Sequence, residues 1–332
     1  MRLSRRAAPY LLLLPGLAWL LLFYVYPAIQ MFFVSLSTGN IDIGYAVTYN
    51  WQIYGEGFNE YLPWIARSAE YGGLATILAF VLGYPLAYTI AFRGGQYKNV
   101  LLFLVIAPFF TSFLLRTLSW KIILADSGLV LGPIKAAGLL PEDFRILATP
   151  AAVVAGITYN FLPFMTLPLY VALEKIDFRL VEAAQDLYAG RWRPAGTIAG
   201  AAVGGVLLAL VTLILGGSPV VPGIAGAVVG GVIGTFLISE AFVRVVLPLS
   251  LPGIFAGSLL TFIPAVGDFV NADLLGDPKS LMIGNVIQAR FLKITDYPMA
   301  SALSFILMLA ILIGVLIYAR LLGTEELTGG GV

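Results

Sequence analysis

The 332-residue chain has no cysteine and no histidine, and charged residues make up only 11% of it. Without cysteine there are no disulfides, thiol nucleophiles or thiolate metal ligands. Without histidine, serine–histidine triads, HExxH zinc sites and imidazole general bases are excluded. No Gly-Lys pair occurs, so the chain has no P-loop with which to cradle ATP. The formal net charge of +1 offers no basic excess for nucleic acid. What remains is apolar: 60% hydrophobic residues and a mean hydropathy of +0.94. Soluble domains are about half apolar and a quarter charged, and disordered chains are poorer still in apolar residues. The composition is that of a polytopic membrane protein.

A spanning helix needs roughly 20 mostly apolar residues. Stretches free of charge between consecutive ionisable residues fall at 7–41, 71–92, 99–115, 146–173, 194–239, 245–267 and 297–319. Six of these suit one helix each. The window 194–239 is too long for one, and its GGSPVVPG at 216–223 is a turn signal, so it reads as two helices, about 195–215 and 222–239. The expectation is eight spans, or six plus a hairpin. The basic MRLSRR is followed by an apolar stretch longer than a signal peptide's and without an A-x-A site, so it is read as an uncleaved first span. With the N-terminus in the cytoplasm, cytoplasmic segments hold 11 of the 19 basic residues but only 7 of the 18 acidic ones. The positive-inside rule favours that orientation, and an even number of spans returns the C-terminus to the cytoplasm.

One stretch stands out from this apolar background. Residues 173–193, LEKIDFRLVEAAQDLYAGRWR, are charged and amphipathic. On a helix Leu180, Val181, Ala184 and Leu187 share a face, Arg179, Glu182 and Asp186 stay polar, and small Ala183 and Ala184 permit close approach. Read from pattern alone, the stretch is either a solvated surface helix or a docking element. Polar residues inside or beside the spans are costly and therefore candidates for a solute path. Tyr159 and Asn160 lie mid-window, and Asp268, Asn271 and Asp273 flank the end of the 245–267 window. Trp120, Tyr159 and Phe269 offer aromatic faces to a cation. Arg116, at a window edge, suits snorkelling to the interface.

The segment 173–193 resembles the EAA loop of permease subunits of ABC importers. The family pattern is EAA, three residues, Gly, nine residues, then I-x-L-P. Glu182, Ala183 and Ala184 match the opening, Asp186 and Leu187 fit the E-A-A-x-D-L form, and Val245-Val246-Leu247-Pro248 matches the close. TSFLLRTLSW at 111–120, GSLLTFIPAVGDFV at 257–270 and LLGDPKSLMIGNVIQARFL at 274–292 are similar to the spermidine/putrescine permease branch. Two departures stand out. Tyr188 takes the place of the family Gly, and the closing element starts at 245 rather than 198, an excess of 47 residues. The excess nearly equals the window 194–239. Gly196, Gly200 and Gly204, and again Gly226, Gly230 and Gly234, recur every fourth residue there, a spacing that lets membrane helices pack closely.

The resemblance implies an all-α permease: a six-helix importer core, a coupling loop at 173–193 and an inserted glycine-rich hydrophobic hairpin at 194–239. It implies no catalysis by this chain and neither cofactor nor metal bound by it, with ATP and Mg used by a partner. The implied partners are a pair of ATP-binding subunits, a second permease subunit, an extracytoplasmic substrate-binding protein and the lipid of the cell (plasma or inner) membrane. Glu182, Ala183, Ala184, Asp186, Leu187, Leu247 and Pro248 are implied in coupling to the ATPase. Tyr159, Asn160, Asp268, Asn271 and Asp273 are candidates for the path, and the implied substrate is a polyamine or similar small solute. Two alternatives stay open: a stand-alone secondary transporter, and a permease uncoupled by the hairpin.

Overall fold

The computed structural model describes residues 8–138, 141, 144–188 and 242–321. The described chain is helical apart from one small hairpin, and it divides into two compact units. Four helices are long and apolar enough to cross a membrane: Leu12–Ser35, Gln52–Arg93, Pro150–Glu174 and Tyr297–Arg320. A bent pair, Gly95–Phe110 with Phe113–Ile123, makes a fifth if counted as one span. The expected hairpin at 194–239 lies outside the described residues.

One unit comprises residues up to Ile65 together with Ile283–Ile313. Helix α1 (Ala8–Leu20) passes through a π-helical turn, Leu21–Val25, into α2 (Tyr26–Ser35). Pro27 has no N–H and its ring crowds the carbonyl four residues back, so the ladder widens just before it. Strands β1 (Ser37–Asn40) and β2 (Gly44–Val47) then pair antiparallel. This hairpin departs from the all-α expectation, and its signal is local. The Asn40 side-chain oxygen accepts from the N–H groups of Asp42 and Ile43, 3.0 Å each, and Gly39 and Gly44 have φ of +133° and +84°. The start of α3 (Gln52–Arg93), α11 (Ile283–Leu292) and α12 (Tyr297–Leu321) supply the core here: Ile53, Tyr61, Ile65, Ile283, Met299 and Leu303. Helix α3 begins well before the charge-free window at 71. Its Glu56, Glu60, Arg67 and Glu70 limit the apolar stretch without ending the helix.

The other unit comprises Ala66–Met282 and the chain from Gly314. The window 99–115 is not one straight span. Helix α4 (Lys98–Ile106) gives way to a 3-10 turn, Ala107–Phe110, and α5 (Phe113–Ile123) leaves at 93°. Pro108 ends the α-helical ladder, and Thr111 and Ser112 are extended. After the short α6 (Leu131–Ala136) comes α7 (Pro150–Glu174), a largely buried helix. The Thr149 hydroxyl caps it, accepting from the Ala152 N–H at 3.3 Å, and Pro150 takes the first turn, where no N–H is needed. Then follow α8 (Phe178–Tyr188), a π-helical turn Phe242–Val246, a short helical turn Leu247–Leu249, α9 (Leu251–Val266) and α10 (Val270–Leu275). The window 245–267 thus yields a continuous helix of only 16 residues.

Glycines set the approach of α9 to α7. A Cβ on Gly253 would sit 2.5 Å from Ala172 Cβ and 2.8 Å from the Pro168 carbonyl, and one on Gly257 would sit 3.0 Å from the Met165 carbonyl. In a bilayer there is no hydrophobic drive between helices, so such close contact supplies the attraction.

Candidate functional site

Helix α8 opens at Asp177, whose carboxylate accepts the Arg179 N–H at 3.0 Å. One turn in, Val181 is 1% exposed and joins a core with Leu169, Leu173 and Val246. Val181 anchors the helix. Glu182, Ala183 and Asp186 are exposed, and Ala184 and Leu187 lie on the same helix. Leu180, on the same apolar stripe, is not buried as Val181 is. It is 53% exposed and lines an apolar groove of about 830 Å³ with Pro168, Ala172 and Gly253. Tyr188, in the place of the family Gly, is still helical.

The closing element meets α8 in space. Val246 is fully buried in the core that holds Val181, Leu247 packs on that core, and Pro248 is exposed. Three contacts tie this segment to α3: Tyr84 and Ser250 share a buried hydrogen bond of 2.8 Å, and Phe242 lies edge-on to Tyr84 and Tyr88. Helix α8 and the Phe242–Val246 turn thus pack together.

A second polar arrangement lies among α5, α7 and α10. Asp268 is 7% exposed, and both its oxygens are engaged by Asn271: Oδ1 accepts the backbone N–H at 3.0 Å and Oδ2 accepts the side-chain Nδ2 at 2.6 Å. This fixes the Asn271 amide, whose Oδ1 must then accept. It receives Asn160 Nδ2 at 3.2 Å and the Thr117 hydroxyl at 3.4 Å, and Asn160 Nδ2 also lies 3.2 Å from Thr117 Oγ1. The orientation of every amide follows from the carboxylate at one end. At the other end Asn160 Oδ1 is buried with no hydrogen-bond partner. Burial pushes the Asp268 carboxyl above the usual carboxylate range, against the opposing pull of the hydrogen bonds from Asn271 and Val270.

Three of the five path candidates, Asn160, Asn271 and Asp268, are thus linked into one chain. Tyr159 points elsewhere, its ring edge-on to Trp120 at 5.3 Å. Asp273 is exposed and outside the chain. Thr117 was missed: a threonine inside TSFLLRTLSW carries no signal until the fold brings α7 beside it. Gly156 belongs to the site as well, since a Cβ there would stand 2.7 Å from Asn271 Oδ1.

Arg116 does not snorkel free of its surroundings. Its Nε and Nη1 are buried without a hydrogen-bond partner, and its guanidinium carbon lies 5.4 Å from the Phe109 ring centre and 5.9 Å from that of Phe113. Among the described residues no group of three or more acidic side chains is placed to hold a metal ion.

No family model matches the chain. It is 34% identical over 304 residues to the spermidine/putrescine transport system permease protein PotB of Haemophilus influenzae, covering 91% of this chain and 90% of that one. It is 31% identical to PotB of Escherichia coli K12, covering 91% and 93%. The inner membrane ABC transporter permease protein YdcU of Escherichia coli K12 is 28% identical over 73% of this chain and 66% of its own. In fold the chain is similar to the crystal structure of a bacterial ABC transporter involved in the import of the acidic polysaccharide alginate, with a TM-score of 0.64 at 18% identity, covering 96% of each chain. Identity above 30% across nine-tenths of both sequences decides the matter: the chain belongs to the family of spermidine/putrescine ABC-transporter permease proteins.

Proposed function

We propose that this permease forms half of the translocation path of an ATP-driven importer whose substrate is a polyamine. The polar chain carries the substrate reading. Ordered by the Asp268 carboxylate, it ends in an unpaired acceptor, Asn160 Oδ1. An ammonium donates hydrogen bonds and accepts none, so a free carbonyl oxygen suits it and a free N–H would repel it. The relatives' names, spermidine/putrescine permeases, agree with that polarity.

In this reading α8 docks on an ATP-binding subunit through Glu182, Ala183, Ala184, Asp186 and Leu187, and Leu247 and Pro248 shape the start of the following span. Closure of two ATP-binding subunits on ATP and Mg moves α8 as a rigid element, and the bundle switches between two arrangements. A second permease completes the path, and an extracytoplasmic binding protein delivers substrate. Both termini lie in the cytoplasm. The packing of Val181 on the core that includes Val246 supports a coupled permease over one uncoupled by the extra residues, because it links α8 to the turn that leads towards α9.

The test is purification of the tagged complex from native membranes, followed by reconstitution with the binding protein. Recovery of an ATP-binding subunit that is lost on Glu182→Arg is the expected result. Spermidine-dependent uptake that falls at least tenfold on Asn160→Leu, with assembly unchanged, is expected of the substrate reading. A preparation without any ATPase, when a known importer run alongside keeps its own, would overturn the coupled-importer reading. Assembly without spermidine or putrescine uptake would overturn the polyamine reading alone.

A further inference from the structure

Four phenylalanine rings of the same unit form a closed circuit around the break between α4 and α5. Phe109 stands edge-on to Phe164 at 5.0 Å, Phe164 lies 6.0 Å from Phe161, and Phe161 lies 6.4 Å from Phe113. The Arg116 guanidinium completes the circuit, within 6 Å of both Phe109 and Phe113. The rings of Phe113, Phe161 and Phe164 are half-buried and that of Phe109 is 40% exposed, so the basket is reachable.

The cation in this basket is weakly held. Attraction to a phenyl face is modest even when desolvated. Against it stand two buried N–H groups, Nε and Nη1, with nothing to donate to, and each such orphan costs at least as much as the bond it lacks. Phenyl rings bind positive charge and offer no acceptor, so the basket is built for a cation and poorly built for this one. The residue next to Arg116 is Thr117, which touches Asn160, and Asn160 precedes Phe161. The residue that carries the unpaired acceptor thus precedes one ring of the basket in sequence and hydrogen-bonds the neighbour of Arg116. A polycation passing here meets a fixed positive charge that opposes it until that charge moves.

We propose that Arg116 is a tethered cation which holds the aromatic site in the absence of substrate and is displaced from it by an ammonium group of the substrate, with Asn160 Oδ1 accepting from the newcomer. Arg116 is then a specificity-determining residue. It is a built-in competitor that excludes monovalent cations too weak to replace it and admits those that use rings and acceptor together. The identity of the displacing substrate rests on the polyamine reading above, but the competition itself does not.

Because the chain has no cysteine, Ser112→Cys places a unique thiol in it, on the exposed turn beside the basket. The full transporter carrying Ser112→Cys is put into nanodiscs without nucleotide or binding protein, and alkylation of Cys on this chain is followed by mass spectrometry. The probes titrated are methylguanidinium and spermidine, on backgrounds with Arg116 intact, Arg116→Lys and Arg116→Gln. Protection at about tenfold lower concentration of both probes in the Gln background, with Lys resembling Arg, supports the proposal. A leftward shift for methylguanidinium with no protection by spermidine on any background keeps the tethered cation and removes the polyamine as its displacer. An unchanged midpoint for methylguanidinium overturns the proposal whatever spermidine does. Protection by inorganic phosphate that is lost in the Gln background also overturns it, because Arg116 would then be an anion site. Recovery of the ATP-binding subunit with each variant shows that the complex still assembles.

Discussion

The two polar regions of this chain use the same side chains in opposite ways. On α8, Glu182 and Asp186 are exposed, and Val181 is buried in the core beneath them. Among α5, α7 and α10, Asp268, Asn271, Asn160 and Thr117 are nearly inaccessible, and they hold one another. A surface of the first kind suits a macromolecular partner, which supplies the missing contacts itself. A chain of the second kind has a direction, because a carboxylate at one end dictates whether donors or acceptors emerge at the other. Under the proposed function, that directed end is the acceptor offered to the substrate.

The comparison is broken most severely at Asp268. Asp268→Ala removes the acceptor of two Asn271 donors in a buried site, which costs about 3 kcal/mol. Asp186→Ala, on the exposed face of α8, is expected to change stability by less than about 0.5 kcal/mol. Thermal unfolding of the purified complex in detergent, followed for both variants, distinguishes them, and equal shifts would mean that the buried chain does not hold its unit together.

Next in size is Val181→Ala. Burial of such a side chain contributes about 2 kcal/mol, and its truncation leaves a void against Leu173 and Val246. The expected consequence is local as well as global: faster amide hydrogen exchange in 178–188 than in α7. Unchanged exchange would mean that something other than Val181 seats α8.

These two regions differed equally in how far the sequence disclosed them. Helix α8 was legible because its apolar and polar positions follow a helical period, and along its apolar stripe the structure buries Val181 and leaves Leu180 exposed. A period defines a stripe, and only packing decides how wide that stripe is. In the buried chain the members Asn160, Asp268 and Asn271 were visible as costly residues near spans, but their connection was not. Asp268 and Asp273 look alike in sequence, but Asp268 is buried in the turn before α10 and Asp273, on that helix, is exposed. Thr117 joins only because Pro108 breaks the span and sends α5 off at 93°. The same break explains Arg116: charge-free windows treat a span as a straight rod, and in a straight rod an arginine at the edge reaches water. The long span at α3 and the small β-hairpin were missed for a related reason. Windows free of charge report where a bilayer fits and are silent about where hydrogen-bonded structure starts.

The smallest effect is expected where polar groups meet at the surface, between these two extremes. Lys98 Nζ lies 2.6 Å from Glu174 Oε1 and 5.2 Å from the ring centre of Tyr170, linking the start of α4 to the end of α7 just before α8. The two side chains are 28% and 47% exposed, so solvent weakens their attraction and long side chains lose freedom in making it. Lys98→Gln is therefore expected to cost at most about 1 kcal/mol in the melting of the complex. That cost should shrink further as ionic strength rises, because exposed charges are screened over a distance of about 10 Å at 0.1 M salt. A salt-independent loss larger than that of Val181→Ala would place this pair with the buried chain. The division between exposed polar groups and enclosed ones that organise the fold would then have to be redrawn at the α4–α7 contact.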